Sequence, residues 1–188
     1  MRFKPLVLSC IVACSLSGCG NVIPWSYYNQ NKDKINIGSP NLVNYLGWYF
    51  ERPEGFAKQD RLNTNEYFYL DKKNQCAIEI YFDSTPYKES AFLLRQYSAI
   101  SDNLLNNFSG AELSKIKTLP EHNHLNGYRL DFRINNKDGY LRGMNLYLMA
   151  FSDFSQITVY SANPSRQQQC LTAGQDVYNS MVYLGRPQ

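Results

Sequence analysis

The chain contains only two histidines, and they stand close together in Glu121-His122-Asn123-His124. If this stretch is extended, His122 and His124 point to the same side, because side chains two residues apart share one face of a strand. Imidazole binds zinc, and Glu121 could assist, but zinc sites usually have three or four protein ligands. No other metal-ligating cluster lies nearby in the sequence. We therefore interpret the segment as a polar loop; His122 and His124 are its candidate ligands, and no metal is predicted.

A second group of chemically active side chains alternates along Tyr128–Ile134, where Arg129, Asp131 and Arg133 should project from one face of a strand. Arg142 on the next predicted strand lies close enough to join them. Such a cluster forms a recognition surface for a partner or an anionic group, because the guanidinium presents a planar fork of donors. The alternative, which we favour, is a solvated sheet face with cross-strand ion pairs.

Known catalytic motifs are missing from the sequence, which has no GxSxG, HExxH, Walker-type glycine loop or GxGxxG fingerprint. Catalytic groups can also assemble from residues that are distant in the sequence, so the missing motifs argue against the common enzyme classes but do not exclude an enzyme of another type. The prediction is a protein that is not an enzyme and has no cofactor.

Cys76 and Cys170 are the cysteines expected to form a disulfide. In Cys76–Phe82 the alternation puts Cys76 on the face of Ile78 and Ile80, and Cys170 lies on the apolar stripe of a predicted C-terminal helix. Both thiols therefore point inward, where a helix covers a sheet. A bridge closing so long a loop contributes about 4–5 kcal/mol in the chain-entropy model. Two separate buried thiols are the alternative.

The N-terminus begins with the basic segment Met1–Lys4, followed by an apolar stretch from Pro5 to Leu16. This stretch is shorter than the about 20 apolar residues that a membrane-spanning helix needs. A basic start, a short apolar run and small residues ahead of a cut site are typical of a secretory signal. Cys10 and Cys14 lie inside the apolar run and should leave with it.

The end of that signal, Leu16-Ser17-Gly18-Cys19, resembles the lipobox of bacterial lipoproteins. The resemblance implies cleavage before Cys19, a diacylglyceryl group on its thiol and usually a third acyl chain, a palmitate-type anchor. Each buried methylene contributes ~0.8 kcal/mol, so two or more chains hold a protein firmly on a membrane. Gly20 follows, rather than the aspartate that resembles an inner-membrane retention signal, which favours the outer membrane. An ordinary signal peptide is the alternative.

The composition of the mature chain indicates an aromatic, nearly neutral protein. Loss of Arg2 and Lys4 with the signal lowers the net charge from +3 to +1. This value gives no reason to expect nucleic acid as a partner. The chain has 15 Tyr, 10 Phe and 2 Trp, which suit a β-rich core or an aromatic-lined ligand cleft. For such a cleft, closed by the long helix, the candidates are Trp48, Tyr49, Tyr67 and Tyr69.

Three segments are predicted: residues 1–18 as the signal peptide, 19–42 as a lipid-anchored tether, and 43–188 as one globular α+β domain. Strands are predicted at Tyr45–Phe50, Glu66–Leu70, Cys76–Phe82, Glu112–Leu119, Tyr128–Ile134, Tyr140–Ala150 and Phe154–Ala162. An amphipathic helix of about 22 residues begins at Thr85-Pro86 and carries Leu93, Tyr97, Ile100, Leu104 and Phe108. A second helix runs from Pro164 to about Tyr183.

The order βββ-α-ββββ-α implies an antiparallel sheet of six to seven strands with two packed helices. This order, together with Phe50-Glu51-Arg52-Pro53-Glu54-Gly55-Phe56, resembles the PsbP/DcrB-like fold, an α/β/α sandwich. The resemblance covers residues 43–184 and implies an accessory, scaffolding or binding role. It carries no functional residue with it, and Arg52 and Glu54 are interpreted as turn residues.

Two functions follow from these observations. The first is a non-enzymatic, membrane-anchored envelope lipoprotein that faces the periplasm from the outer membrane and acts as an accessory or protein-interaction module for an envelope partner. The alternative is a carrier that binds a small ligand in the aromatic-lined cleft.

Cys19→Ala tests the anchor directly. We expect the native chain to incorporate labelled palmitate and its processing to be blocked by globomycin, whereas the variant lacks the acceptor thiol and should take up no label. Autoradiography of immunoprecipitated protein measures both, and a labelled Cys19→Ala chain would contradict the lipobox assignment.

Overall fold

The computed structural model describes residues 25–60, 65–84, 88–108, 110–136, 139–151 and 153–185. The signal peptide and Cys19 lie outside these residues. The helices are α1 (Trp25–Asn31), α2 (Glu89–Asn107) and α3 (Gln167–Ser180), with short 3-10 turns at Lys32–Lys34 and Pro164–Arg166. The strands are β1 (Leu42–Tyr45), β2 (Trp48–Glu51), β3 (Ala57–Gln59), β4 (Glu66–Asp71), β5 (Cys76–Ser84), β6 (Ala111–Leu113), β7 (Lys117–His122), β8 (Leu125–Asn136), β9 (Gly139–Ala150), β10 (Asp153–Ser161) and β11 (Val182–Tyr183).

The main sheet has eight antiparallel strands in the order β3-β4-β5-β10-β9-β8-β6, with β7 also paired to β8. A separate three-stranded sheet has the order β1-β2-β11. The predicted α+β class and antiparallel sheet are confirmed. The described residues contain more strands than expected, because two of the predicted strands are each divided in two, the short strand β3 was not predicted, and the last helix is followed by β11.

The central strand β9 is buried on both faces, whereas its neighbours β10 and β5 are fully buried on one face and only partly on the other. On one face, Ile78, Ile80, Leu146 and Val159 meet α3 and the small sheet. On the other face, Phe92 of α2 packs on Phe154, with ring centroids 4.5 Å apart. The sheet is thus enclosed between α3 and α2, the α/β/α arrangement that the sequence predicted.

Helix α3 approaches the sheet closely at Gly174. A Cβ placed there would lie 2.1 Å from Cγ2 of Val159, so only glycine allows this separation. One turn earlier, Cys170 is joined to Cys76 of β5 by a disulfide, with their Cα atoms 5.6 Å apart. Both cysteines are buried. The disulfide and this close approach therefore add to the packing of the buried α3 residues Leu171 and Val177 on the sheet.

Helix α2 begins at Glu89 and packs on the sheet through part of the apolar stripe that the sequence predicted. Leu93, Tyr97 and Ile100 of that stripe pack against the second core cluster, whereas Phe108 follows the last helical residue and is 44% exposed. Phe92, which the predicted stripe omitted, is its most buried residue, at 3% exposure. The predicted N-cap, Thr85-Pro86, lies outside the described residues.

Three local predictions are wrong. Tyr45–Phe50 is a hairpin rather than one strand, because Leu46 and Gly47 adopt positive φ angles of 48° and 85° and turn the chain. Glu112–Leu119 is interrupted after Leu113, where Asp131 donates its backbone N–H to the Ser114 hydroxyl. The last helix ends at Ser180, and the next residues pair with β2 instead of continuing the helix.

Part of the segment predicted as tether is folded onto the domain. Tyr27 of α1 is 8% exposed and donates a hydrogen bond to the carbonyl of Asn123. Asn31 is fully buried and donates to the carbonyl of Tyr27. The domain therefore includes residues from Trp25 onward, which lengthens it relative to the predicted start at residue 43. Within the residues described here, no helix has both the length and the apolar character needed to cross a bilayer.

Gly174→Ala should lower the free energy of unfolding, because the stiff, buried Val159 side chain cannot move away. Overpacking of this kind costs about 1–3 kcal/mol, more than the up to about 1 kcal/mol that alanine gains over glycine in a helix. The matched control is Gly38→Ala, where the nearest atom would lie 3.6 Å from the new Cβ. Urea denaturation of the two variants gives the comparison; equal stability would contradict the close approach of α3.

Candidate binding surface

A groove of about 710 Å³ lies on the sheet face that α2 covers only in part. We call it the sheet groove. It is lined by Asn65, Glu66, Tyr67, Phe68, Glu79, Ile80, Tyr81, Gln156 and Thr158, from β4, β5, β10 and the residue before β4. These strands are neighbours in the sheet, so its floor is a continuous surface.

The strand register explains why this floor is polar. Glu66, Tyr81 and Gln156 pair directly across β4, β5 and β10, and the row continues into the buried Tyr147 of β9. Phe68, Glu79 and Thr158 form the next row, which continues to Asn145. The residues of these rows that lie under α2 are largely apolar. Those that lie beyond the helix carry carboxylates, amides and hydroxyls.

Hydrogen bonds connect the first row to the second and then run along the second row. Gln156 donates from Nε2 to the Thr158 hydroxyl at 3.1 Å, and Thr158 donates to Oδ1 of Asn145 at 2.6 Å. Asn145 is only 3% exposed, so this chain extends from the groove toward the interior. Such a network fixes the side-chain positions at the groove floor.

Tyr81 lies at the junction between this groove and a second cavity of about 550 Å³ beside α2. Its hydroxyl donates to Asp83, and this bond, together with burial, raises the pKa of Tyr81 to about 12. The phenol is therefore protonated at neutral pH. The charged residues that line the second cavity are Asp83, Arg95 and Asp102.

The charge of the sheet groove is negative. Its described lining includes the carboxylates of Glu66 and Glu79 and no lysine or arginine. Tyr160 donates a hydrogen bond to Oε1 of Glu79 at 3.4 Å. The arrangement suits a ligand that brings cationic groups or hydrogen-bond donors.

Two residues of the predicted arginine surface form an ion pair with each other. Arg129 donates from Nε and Nη2 to the same Asp131 oxygen, at 2.8 and 2.7 Å. Lys117 lies 3.6 Å from the other Asp131 oxygen. The Arg129–Asp131 pair lies within β8, and the Lys117–Asp131 contact is the one that crosses between strands; such partly exposed pairs contribute little stability.

Arg133 and Arg142 are both exposed and pair directly across β8 and β9. Arg133 donates to Asn135 and its guanidinium lies 4.4 Å above the Tyr140 ring centroid. The four residues of the predicted surface therefore form two groups. Arg129 and Asp131 are an ion pair, and Arg133, stacked on Tyr140, lies beside Arg142.

The four candidate cleft residues do not surround a common cavity. Trp48 and Tyr69 are 2% and 1% exposed and belong to the core under α3, on the face opposite the long helix. Tyr67 packs edge-on against Phe50, with centroids 5.5 Å apart, and is the only one of the four that lines the sheet groove. Tyr49 is half-buried on β2. Most of this aromatic set fills the interior.

The two histidines are separated by a turn instead of sharing an extended face. Asn123 and His124 have φ angles of 50° and 61° and close the β7–β8 hairpin. His122 approaches the Met181 carbonyl at 3.2 Å, and burial lowers its pKa. His124 pairs with Glu121 at 3.1 Å. Among the described residues, no three His, Cys, Asp or Glu side chains are placed to hold a metal ion.

Sequence reasoning missed the sheet groove. One signal was present: Glu79 is a charged residue between Ile78 and Ile80 in an otherwise apolar strand. Only the pairing of β4 with β5 and of β5 with β10, which the sequence does not specify, brings it beside Phe68 and Thr158.

The sequence matches no protein-family model and no curated relative. Solved structures do match. CyanoP, the cyanobacterial PsbP of Synechocystis sp. PCC 6803, is 14% identical, with 79% of this chain and 96% of that chain covered and a TM-score of 0.57. The Ran-binding protein Mog1p of Saccharomyces cerevisiae is 11% identical, with 74% and 91% covered and a TM-score of 0.53.

A third similar structure is LpqN of Mycobacterium tuberculosis, described as involved in cell envelope biogenesis. It is 10% identical, with 80% of this chain and 88% of that chain covered and a TM-score of 0.51. At such identities the likeness concerns the fold alone. It supports the PsbP/DcrB-like fold that the sequence indicated.

Proposed function

We propose that this chain is a lipid-anchored cell-envelope protein without enzymatic activity, and that it binds a protein partner through the sheet groove. The observation that carries the proposal is the uncovered part of the sheet, where Glu66, Glu79 and Tyr81 face outward in fixed register.

The anchor in this proposal is Cys19, preceded by Leu16-Ser17-Gly18 and a short apolar stretch. The localisation proposed is the periplasmic side of the outer membrane, because Gly20 stands where a retention aspartate would otherwise be. Acyl chains on one cysteine concentrate the domain at a surface, which raises its effective concentration for any partner held there.

The partner's chemistry follows from the groove. Carboxylates at Glu66 and Glu79 favour a lysine or arginine side chain, and the Tyr81, Gln156 and Thr158 side chains supply hydrogen-bonding groups. The groove is open along its length, so it accommodates an extended segment better than an enclosed small molecule. We therefore propose a basic segment of another envelope protein as the occupant.

Similar structures provide support of a general kind. LpqN is described as involved in cell envelope biogenesis, and Mog1p as a Ran-binding protein. An envelope location and a binding role for a chain of this fold are consistent with those descriptions.

A site-specific photo-crosslinker at Gln156 in the full lipoprotein tests the proposal on intact cells. We expect one repeatable crosslinked protein from position 156 and none from Thr172, an exposed residue on α3 that serves as the matched control. Because the carboxylates attract the partner, Glu66→Gln combined with Glu79→Gln should lower the crosslinked yield severalfold.

The charge variants keep the side-chain shape, and an unchanged melting temperature shows that they fold. Equal crosslinking from positions 156 and 172, or a yield that ignores both glutamines, would reject the groove as the binding surface.

A further inference from the structure

Three turns and the entry of the chain lie at one end of the domain. The β7–β8 turn at Asn123-His124 and the β9–β10 turn at Phe151 are adjacent, since Asn126 pairs with Met149. The β1–β2 turn is also there, because the Gly47 carbonyl accepts from Leu184, and the neighbouring Tyr183 ring lies 6.5 Å from that of Phe151. We call this end, defined by Leu46, His124 and Phe151, the turn end.

Two of these turns carry large apolar residues in an unfavourable conformation. Leu46 and Phe151 have φ angles of 48° and 60° and are 42% and 53% exposed. A bulky side chain in the left-handed region costs roughly 1–2 kcal/mol, and glycine or asparagine would serve the turn better. Phe151 contributes to folding through its contact with Tyr27, but no such contact accounts for the exposed part of its ring or for the Leu46 side chain, and a strained conformation that is kept at an exposed position points to a use.

The chain also enters the domain at the turn end. Tyr27 of α1 packs edge-on against Phe151, with ring centroids 5.4 Å apart, and 6.2 Å from the His124 ring. Its hydroxyl donates to the Asn123 carbonyl. Helix α1 is thus fixed to the turns, which places Trp25, the first described residue, at this end of the domain.

The distance back to the proposed lipid anchor is short. Only residues 20–24 separate Cys19 from Trp25. The six steps from Cys19 to Trp25, at about 3.3–3.6 Å each, span at most about 22 Å in any conformation. Since Cys19 would lie at the membrane surface, Trp25 is held within that distance of the lipid headgroups, and the turn end lies beside it.

From this geometry we propose that the turn end rests on the bilayer, with Leu46 and Phe151 inserted among the lipid headgroups. The proposal rests on the acylation of Cys19 in the proposed function. Apolar side chains at this depth are buried about 5–10 Å into the boundary between headgroups and acyl chains. The sheet groove then has a fixed orientation relative to the membrane, because α1, the turns and the sheet are one packed unit.

Spin labels measure this arrangement in the acylated full chain. Leu46→Cys, Phe151→Cys and the control Lys73→Cys each place one free thiol for a nitroxide, with the native disulfide kept intact. Lys73 is exposed in the β4–β5 turn at the opposite end of the sheet. Each labelled lipoprotein is reconstituted in vesicles of phosphatidylethanolamine and phosphatidylglycerol.

The readout is the ratio of collision rates with oxygen, which is enriched in lipid, and with a water-soluble nickel chelate. We expect this ratio to be severalfold higher at positions 46 and 151 than at position 73. Ratios at 46 and 151 equal to that at 73 would overturn the proposal, as would labels that are immobilised without oxygen enrichment, which indicate contact with protein.

Mass spectrometry of the same samples shows whether Cys19 is acylated, which distinguishes a failure of the lipid anchor from a failure of the bilayer contact. An acylated Cys19 with water-exposed labels at 46 and 151 rejects the membrane-facing end and leaves the anchor standing. A chain without acyl groups rejects the anchor of the proposed function, and the bilayer contact with it.

Discussion

The contact between α3 and the sheet is the constraint on which the rest of the structure depends. Cys170 is bonded to Cys76, and one turn later Gly174 lies against Val159. A helix of 14 residues is marginal in water, so α3 is ordered by docking. Directly after it, β11 pairs with β2, and the β1–β2 hairpin closes over the aromatic core. Loosening α3 would therefore expose Trp48, Phe50 and their neighbours together.

Sealing one face of the sheet leaves the other face available for binding. Helix α2 covers β8, β9 and the adjoining end of β10, where Leu130, Tyr147 and Phe154 are buried. Beyond its edge, the same rows continue with Glu66, Glu79 and other polar groups. One set of strands thus supplies both an apolar interior and an open acidic groove. A binding module needs this combination, because the rigid floor holds the groove residues in place when a partner arrives.

The fold was largely predictable, and the site was not. Alternation in Cys76–Phe82 and Tyr128–Ile134, and the stripe of α2, depend on local periodicity and were identified correctly. The hairpin at Leu46-Gly47 was missed because leucine is an unusual residue for a left-handed turn. His124 itself adopts that conformation, so His122 and His124, which the sequence analysis interpreted as part of a polar loop, do not share an extended face. The sheet groove and the docking of Tyr27 depend on contacts between distant segments, which no local pattern specifies.

Hydrogen exchange on the oxidised and the reduced protein tests the central claim, that α3 is held on the sheet by the disulfide and thereby orders the C-terminal part of the fold. In the chain-entropy model a bridge across a sequence separation of 94 residues contributes about 4–5 kcal/mol. We expect reduction to accelerate exchange in residues 167–183 well before β8, whose long pairings with β7 and β9 do not involve the bridge. Acceleration in residues 167–183 no greater than that in residues 128–134 would contradict the account.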